Sequence, residues 1–529
     1  MKVFFGFLII GIFVAVFYPW FLTHDIIGGD WPYYFAENIK EKIFLPPIWA
    51  PWQQNGLGGI DPVRGLHAFE SFLAVVGVQW LGLPWSVVYK VGWFGLFLLL
   101  SFISPIVLVR TVFPRFSLAG AVFLSGLMYT TNTYILMIVG GGQMGVALAY
   151  AVAPLVLASF IKITHISSIK NISIAGLILG FQVMIDARIA YVTMVGVGLF
   201  QISNFKWIFL APLIVAFSIN SFWIVPMVLL GYNPLSSSPD ALSSADALKF
   251  FSFADFSHAF SLLHPNWPEN LFGKTYFLQP EFLVLPLFAF SSLLYWKKFK
   301  NILFFVILGL IGVFFAKGAN PPFGEVYRWL FEHVPGFVMF RDPTKWYVLV
   351  ALSYSILIPF VLARLGRGKN VLIVLFILFW LFTIRQSVFG QLSGTFVRRS
   401  VPAEYVAWRD MIVRDTSFSR SLWVPRQTRF TFASGVHPAM EAIPLFHATS
   451  SASLIEELHS PGVSLKLTEL SIQYVIVPSD PLGEIFVYDR RYNDAERQAL
   501  VDELDRIPWL QKLPQKSLAV YKVLSNTIE

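Results

Sequence analysis

Cysteine is absent from all 529 residues. That excludes disulfides, thiolate nucleophiles and cysteine-ligated metal together, so whatever lies outside a membrane must be stable without covalent cross-links. Charge is scarce as well: Asp, Glu, Lys and Arg supply 13% of the chain, against 56% hydrophobic and 17% aromatic residues. A chain this apolar cannot hide its surface in one soluble core, which leaves a polytopic membrane protein. Phosphate-loop chemistry is missing too. Gly140-Gly141-Gly142-Gln143 lacks the following Lys-Ser/Thr and the strand-to-helix context, and reads as a turn between two helices. The histidines, among them His24, His67, His264 and His333, show no His-Glu-x-x-His spacing and read as surface or packing residues. No internal repeat places broken helices at matching positions, which argues against a lipid or solute transporter or flippase.

What the sequence does have is a series of apolar runs. Val3 to Leu22 is long enough to span a bilayer, and no small-residue cleavage site follows, so it reads as a retained helix with its N-terminus in the cytoplasm beside Lys2. Further runs cover 85–109, 117–139, 145–161, 172–185, 189–202, 207–229, 282–295, 302–315, 346–362 and 371–384, about eleven in all. The net charge of +8 sits largely in the short turns between them, including Lys297-Lys298-Phe299-Lys300 and 364–369. That is the positive-inside distribution, so the basicity reports orientation and no nucleic-acid partner. With about eleven spans every basic turn falls on the cytoplasmic side, provided that 66–83, whose apolar part is short, lies along the outer surface.

This topology predicts a mainly α transmembrane domain over 1–388, with outer loops 24–84, 231–280 and 317–345, and a small extracytoplasmic α/β domain over 389–529. The tail supports the second part by its composition. It carries charges throughout, with a strand-like Tyr474-Val475-Ile476-Val477-Pro478, a helix-like 493–506 and a strand-like 518–523.

Two places concentrate candidate chemistry. Thr23-His24-Asp25-Ile26-Ile27-Gly28-Gly29-Asp30-Trp31-Pro32-Tyr33-Tyr34 puts two carboxylates, a flexible Gly-Gly and stacking rings where a helix has just left the membrane. Such a carboxylate, Asp25 or Asp30, suits a general base acting on a sugar hydroxyl, with the rings of Trp31 and Tyr33 available to a substrate. A plain interfacial aromatic belt has the same composition. The second place is charge at membrane depth, which is unfavourable unless a partner or cavity receives it. Asp186-Ala187-Arg188 joins two short helices, and Phe340-Arg341-Asp342-Pro343-Thr344-Lys345-Trp346 opens a later span, with Pro343 suited to a helix start. Arg188, Arg341 and Lys345 either pair with Asp186 and Asp342 at the interface or form a basic pocket for a lipid phosphate.

The chain resembles the GT-C fold membrane glycosyltransferases, in particular an AftD-like arabinofuranosyltransferase and YfhO-like branch. The resemblance rests on Gly29-Asp30-Trp31, Gly142-Gln143-Met144-Gly145 with Ala151-Val152-Ala153-Pro154, and Asp186-Ala187-Arg188 where family members show Asp-Pro-Arg. It also rests on Asn220-Ser221-Phe222-Trp223-Ile224-Val225-Pro226, Phe340-Arg341-Asp342-Pro343 and Leu470-Ser471-Ile472-Gln473-Tyr474-Val475-Ile476. It implies that Asp30 is the catalytic base of the first outer loop, that an amphipathic surface helix lies in that loop, and that Gln143 belongs with the substrate-binding residues. The implied reaction takes a sugar from a polyprenyl-phosphate carrier to a glycan, glycolipid or protein acceptor of the cell envelope. The lipid-linked sugar is then a co-substrate, no cofactor is required, and no divalent metal is indicated if Arg341, Arg188 and Lys345 meet the leaving phosphate. A lipid or solute transporter or flippase, and a non-catalytic scaffold for envelope assembly, are the alternatives.

Overall fold

Each of the apolar runs folds as a helix in the computed structural model, which describes residues 2–22, 30–114, 118–202, 206–231, 244–265, 280–366, 368–390, 401–479, 494–514 and 518–524. Two compact units divide the chain. One holds Met1–His24 and Ser86–Phe396, the other Asp25–Trp85 and Val397–Glu529.

Within the first unit, Trp85–Val112, Met144–His165, Trp207–Leu229 and Pro343–Leu362 are long and apolar enough to cross a membrane. Ala119–Thr131 and Thr133–Gly140, bent by 40°, add a fifth if the pair is one span. The protein is a multi-pass membrane protein, 69% helical. The remaining runs among the described residues form apolar helices of 10–17 residues, such as Ile169–Ile185, Ala187–Ile202 and Asn301–Ala316. Against the expectation of about eleven crossings, four or five helices among the described residues are long and apolar enough to cross by themselves, and the other runs form shorter apolar helices.

Packing follows from which faces are apolar. Every residue of Tyr347–Leu362 is buried, as befits a helix that is hydrophobic all round, and it forms the centre of the unit. Ile169–Ile185 meets Ala211–Leu229 through small residues. A Cβ on Gly176 would run into Val215 and lie 2.9 Å from the Pro212 carbonyl oxygen, the close approach that a small-xxx-small pattern with Gly180 permits. Asn220 Nδ2 then reaches the Gly180 carbonyl at 2.9 Å.

The bend at residue 132 redirects the chain. Asn132 has extended backbone (φ −72°, ψ 162°) and caps the second helix by accepting from Ile135 N at 3.2 Å, the usual N-cap role for Asn. Its Nδ2 donates to the Met128 and Tyr129 carbonyls and to Tyr150 Oη. The helix thus restarts at Thr133 and Tyr134 in a new direction. After it, Gly142 at φ 78° makes the turn into Met144–His165, as the glycine run suggested.

The second unit is built on a five-stranded mixed sheet. The strands of this unit are β1 (Trp49–Ala50), β2 (Gly59–Ile60), β3 (Arg420–Trp423), β4 (Ala439–Glu441), β5 (Ile472–Val477), β6 (Leu510–Lys512) and β7 (Ala519–Val523). The main sheet has the order β4-β3-β5-β7-β6, with β3 parallel to β4 and β5, and β7 antiparallel to β5 and β6. β1 and β2 pair by themselves.

The sequence offered a boundary at 388/389 and treated 24–84 as a loop of the membrane part, yet the compact unit joins 25–85 to the tail. The reason is burial. Phe35 belongs to one apolar cluster with Tyr405, Trp408, Trp423, Phe430, Phe432 and Val520. Polar contacts reinforce it: Asn38 Nδ2 donates to the Ala433 carbonyl at 2.7 Å, Arg409 Nη1 to Glu37 at 3.1 Å, and Asn55 exchanges bonds with the backbone of Glu441 at 2.7 and 2.9 Å. Within 66–83 the chain is helical as far as Trp80, with Arg64–Leu73 running on into a wider π-helical stretch, Ala74–Trp80. Phe69, Glu70 and Ser71 face inward while Phe72, Trp80 and Leu81 stay exposed.

Candidate functional site

In the first unit, four separate stretches of chain bring their polar groups together. Asp186 occupies the break between Ile169–Ile185 and Ala187–Ile202. Its Oδ1 accepts from the backbone N–H of Arg188 at 2.9 Å and of Ile189 at 3.1 Å, which caps the second helix. The Arg188 guanidinium folds back onto the same carboxylate, Nε to Oδ1 at 3.2 Å and Nη2 to Oδ2 at 2.6 Å. Burial would push the Asp186 carboxyl up, but Arg188, with Lys345 and the helix N–H groups, holds it below the usual carboxylate range.

A second carboxylate does the same on the neighbouring element. Asp342 caps the short turn Pro343–Trp346 that leads into the buried helix, with Pro343 at the first position. It accepts from Thr344 N at 3.0 Å, Thr344 Oγ1 at 2.6 Å and Lys345 Nζ at 2.7 Å. Burial opposes its ionisation, yet Lys345 and Thr344 bring the carboxyl down to about 2. Arg341, half-buried just before it, lies within electrostatic reach of both Arg188 and Asp342. The ring contact of Tyr191 with Phe340 at 5.2 Å ties this turn to the helix that carries Arg188.

The third and fourth stretches are aromatic. Tyr134 stacks on Tyr347, with centroids 5.6 Å apart and planes at 13°, and His264 lies against both rings at 6.1 and 5.8 Å. Thr133 fastens the loop of His264, since its Oγ1 donates to the Leu262 carbonyl at 2.8 Å and accepts from His264 N at 2.9 Å. Tyr347 Oη donates to the Leu263 carbonyl at 3.0 Å. The result is three cations, Arg188, Arg341 and Lys345, and two carboxylates, Asp186 and Asp342, beside a rigid aromatic wall. Both pairings that the sequence allowed are present, Asp186 with Arg188 and Asp342 with Lys345. Each carboxylate orients its cation, as an outer partner fixes a ligand.

Burial lowers the His264 imidazole to about 4, with Asp342 opposing and His258 and Lys345 assisting. An ordinary histidine in the unfolded chain takes up its proton near pH 6.5. The unfolded state therefore binds the proton first as pH falls, and stability that is complete above about pH 6.5 declines toward about pH 4. Thermal unfolding of the purified protein between pH 7 and 4.5 should show that acid limb, and His264→Gln should flatten it. An unchanged slope in the variant would assign the limb to other groups.

The remaining sequence candidates belong to other segments. Gln143 opens the helix Met144–His165 with its side chain half-buried. In the second unit Asp30 is exposed in a turn. Trp31 is buried, and its carbonyl accepts from Arg429 Nη1 at 3.1 Å. The Tyr33 ring stands edge-on to Phe35 at 5.0 Å and Phe430 at 5.8 Å. Asp25, with His24, Gly28 and Gly29, lies outside the described residues. Among the described residues no group of three or more His, Cys, Asp and Glu side chains is arranged to hold a metal ion.

Sequence reasoning passed over Tyr134 and the contacts of His264, and also two buried polar pairs of the second unit. Lys42 meets Glu70, which also accepts from Tyr34 Oη at 3.3 Å, and the ammonium sits 4.2 Å above the Tyr34 ring. Burial would lower the Lys42 pKa, but Glu70 outweighs it and the net shift is upward. His67 Nδ1 lies 2.6 Å from Asp61, which is 1% exposed. A charged residue inside an otherwise apolar stretch, such as Glu70 before its run of Leu and Val, was the available signal.

No protein-family model matches the chain, and no curated protein matches it. Solved structures do. The arabinofuranosyltransferase AftD from Mycobacteria overlays on 97% of this chain at 15% identity with a TM-score of 0.64, and 40% of AftD is covered. A mutant form of the same enzyme overlays on 97% at 16% identity and TM-score 0.57, with 41% covered. The chain spans about two fifths of the length of AftD and shares the GT-C fold with it. The fold that the resemblance implies is supported and the YfhO-like branch is not. The apo oligosaccharyltransferase of Archaeoglobus fulgidus overlays more loosely, at TM-score 0.49 and 12% identity over 90% of this chain and 69% of that one.

Proposed function

We propose that the chain is a membrane glycosyltransferase that takes a sugar from a polyprenyl-phosphate carrier and attaches it to a cell-envelope glycan, glycolipid or protein. The observation that carries this reading is the gathering of Arg188, Arg341 and Lys345 around two capping carboxylates at the start of the buried helix. A phosphate there meets oriented N–H donors in a setting of low dielectric, where such donors are worth most. Asp30 is the acceptor-side base, with Asp25 as fallback. The acceptor hydroxyl loses its proton to the carboxylate, its oxygen attacks the anomeric carbon, and the sugar–phosphate bond breaks with the electron pair leaving on the lipid phosphate. The negative charge growing on that phosphate is met by the three cations, and Asp186 and Asp342 keep the cations in place. Trp31, Tyr33 and Gln143 complete the substrate-binding set. Membranes containing the protein, given a short-chain prenyl-phosphate sugar and an envelope fraction as acceptor, should release prenyl phosphate in step with sugar transfer. No release with arabinosyl, mannosyl, glucosyl or aminoarabinosyl donors would overturn the reading.

The same proposal requires the donor site to face outward from the inner or plasma membrane. A reporter inserted between Arg364 and Lys369 should then be cytoplasmic and one fused after Arg385 external, because the basic residues near 297–300 and 364–369 favour the cytoplasmic side. Both reporters on one side would remove the topology on which an outward-facing site depends.

A further inference from the structure

Among the buried polar atoms that have no hydrogen-bond partner among the described residues, the hydroxyl of Tyr134 stands out because it lies beside the charged groups of the site. Tyr134 is 0% exposed, and its Oη has no hydrogen-bond partner among the described residues. Buried hydroxyls are almost always bonded, so one that is not calls for a reason. The ring cannot swing elsewhere, since it is stacked on Tyr347 at 5.6 Å and flanked by Tyr150 at 5.9 Å and His264 at 6.1 Å. The bend at Asn132 is what directs it there, because Tyr134 sits in the first turn after the restart.

Its surroundings decide what it can bind. The hydroxyl lies within electrostatic reach of Asp342, Asp186 and Arg188. Both carboxylates are already engaged: Asp186 by Arg188 and two backbone N–H groups, Asp342 by Thr344 and Lys345. A phenol beside two occupied acceptors and the Arg188 guanidinium is a donor waiting for an incoming anionic oxygen.

We propose that Tyr134 is a ligand-binding residue whose Oη donates a hydrogen bond to a non-bridging phosphate oxygen of the lipid donor. This rests on the glycosyltransferase reading above and adds to it a neutral donor that the charge pattern of the sequence did not contain. Tyr134 fixes the orientation of the phosphate against its aromatic wall, while Arg188, Arg341 and Lys345 supply attraction. Because the hydroxyl satisfies nothing in the unliganded protein, removing it leaves the fold intact and weakens only the ligand.

The test is Tyr134→Phe in the full chain, purified in detergent, with thermal unfolding followed as a short-chain prenyl phosphate is titrated and inorganic phosphate is titrated in parallel. The expected result is a melting temperature without ligand equal to or above that of the wild type, and about tenfold more prenyl phosphate needed for the same stabilisation. If inorganic phosphate stabilises the wild type and loses its effect in the variant, the hydroxyl recognises the phosphate group whether or not a lipid carries it, which also supports the assignment. A variant that melts lower without ligand and binds prenyl phosphate unchanged overturns it and makes the hydroxyl a structural group. Unchanged binding in Tyr134→Phe alongside weakened binding in Arg341→Ala would overturn the Tyr134 assignment alone. No stabilisation of the wild type by either probe would bring down the phosphate site itself, and Tyr134 with it.

Discussion

Asp30→Asn is expected to lower sugar transfer at least ~100-fold while the protein still inserts and folds, because the substitution keeps the shape of the side chain and removes its basicity. The position favours this outcome. Asp30 is exposed, so its carboxylate is open to an acceptor, and the residue after it is held: Trp31 is buried and its carbonyl is bound by Arg429. An exposed group on an anchored backbone combines access with a defined position, which general-base catalysis needs and a freely moving loop does not supply. Because Asp30 makes no part of the apolar cluster around Phe35, Asn at that site should leave the melting temperature close to that of the wild type. The measurement is initial transfer rate at saturating donor, beside thermal unfolding of the same preparation. An active Asp30→Asn with an inactive Asp25→Asn would move the base to Asp25, and full activity in both variants would remove the acidic base from this segment.

Arg341→Ala is expected to weaken donor-lipid binding by about 1.5 to 3 kcal/mol, on the order of 10- to 150-fold in Kd, with acceptor binding much less changed. Burial and the like charge of Arg188 both push the Arg341 guanidinium down, and Asp342 opposes them, although a guanidinium stays protonated under any such pressure. Two like charges held near each other are relieved when an anion arrives between them. Asp342 has its own bonds to Lys345 and Thr344, so removing Arg341 should leave the turn at 342–346 standing and the unliganded melting temperature little altered. Arg341→Lys should recover part of the affinity, since an ammonium restores charge but not the two-pronged geometry. Lys345 is less suitable for the same experiment. It is 4% exposed and paired with Asp342, and its loss would leave a carboxylate without its partner and confuse stability with binding. No change in prenyl-phosphate affinity for folded Arg341→Ala would return that residue to the role of an interface charge.

Much of this protein was legible without its structure, because the relevant signals are local. Apolar runs bounded by Lys and Arg mark helices wherever they later pack, and the runs from 85–109 to 371–384 became helical, with 117–139 broken in two at Asn132. The glycine run at 140–142 announced a turn by conformational freedom alone, and the strand-like 474–478 and 518–523 became neighbours in the sheet. The charges most worth attention, Asp186, Arg188, Arg341, Asp342 and Lys345, stood out because ionised groups at membrane depth are rare. The pairings Asp186–Arg188 and Asp342–Lys345 were also within reach, since partners two and three residues apart at a helix start meet through capping geometry.

Only the tertiary structure decided which distant stretches meet. Residues 134, 186–188, 264 and 341–347 converge because Asn132 breaks one helix, Thr133 fastens the loop of His264, and the helix Tyr347–Leu362 packs on every side. None of these outcomes has a period or a spacing, and a buried tyrosine in an apolar helix looks like any other packing residue until its hydroxyl is found without a partner. The union of 25–85 with the tail was equally invisible, since Phe35 and Phe432 find each other through burial across almost four hundred residues of chain. Composition and periodicity determine what each segment becomes, because those preferences act within a few residues. Which segments share a site is decided by packing, where the free energy is gained only once the surfaces are together.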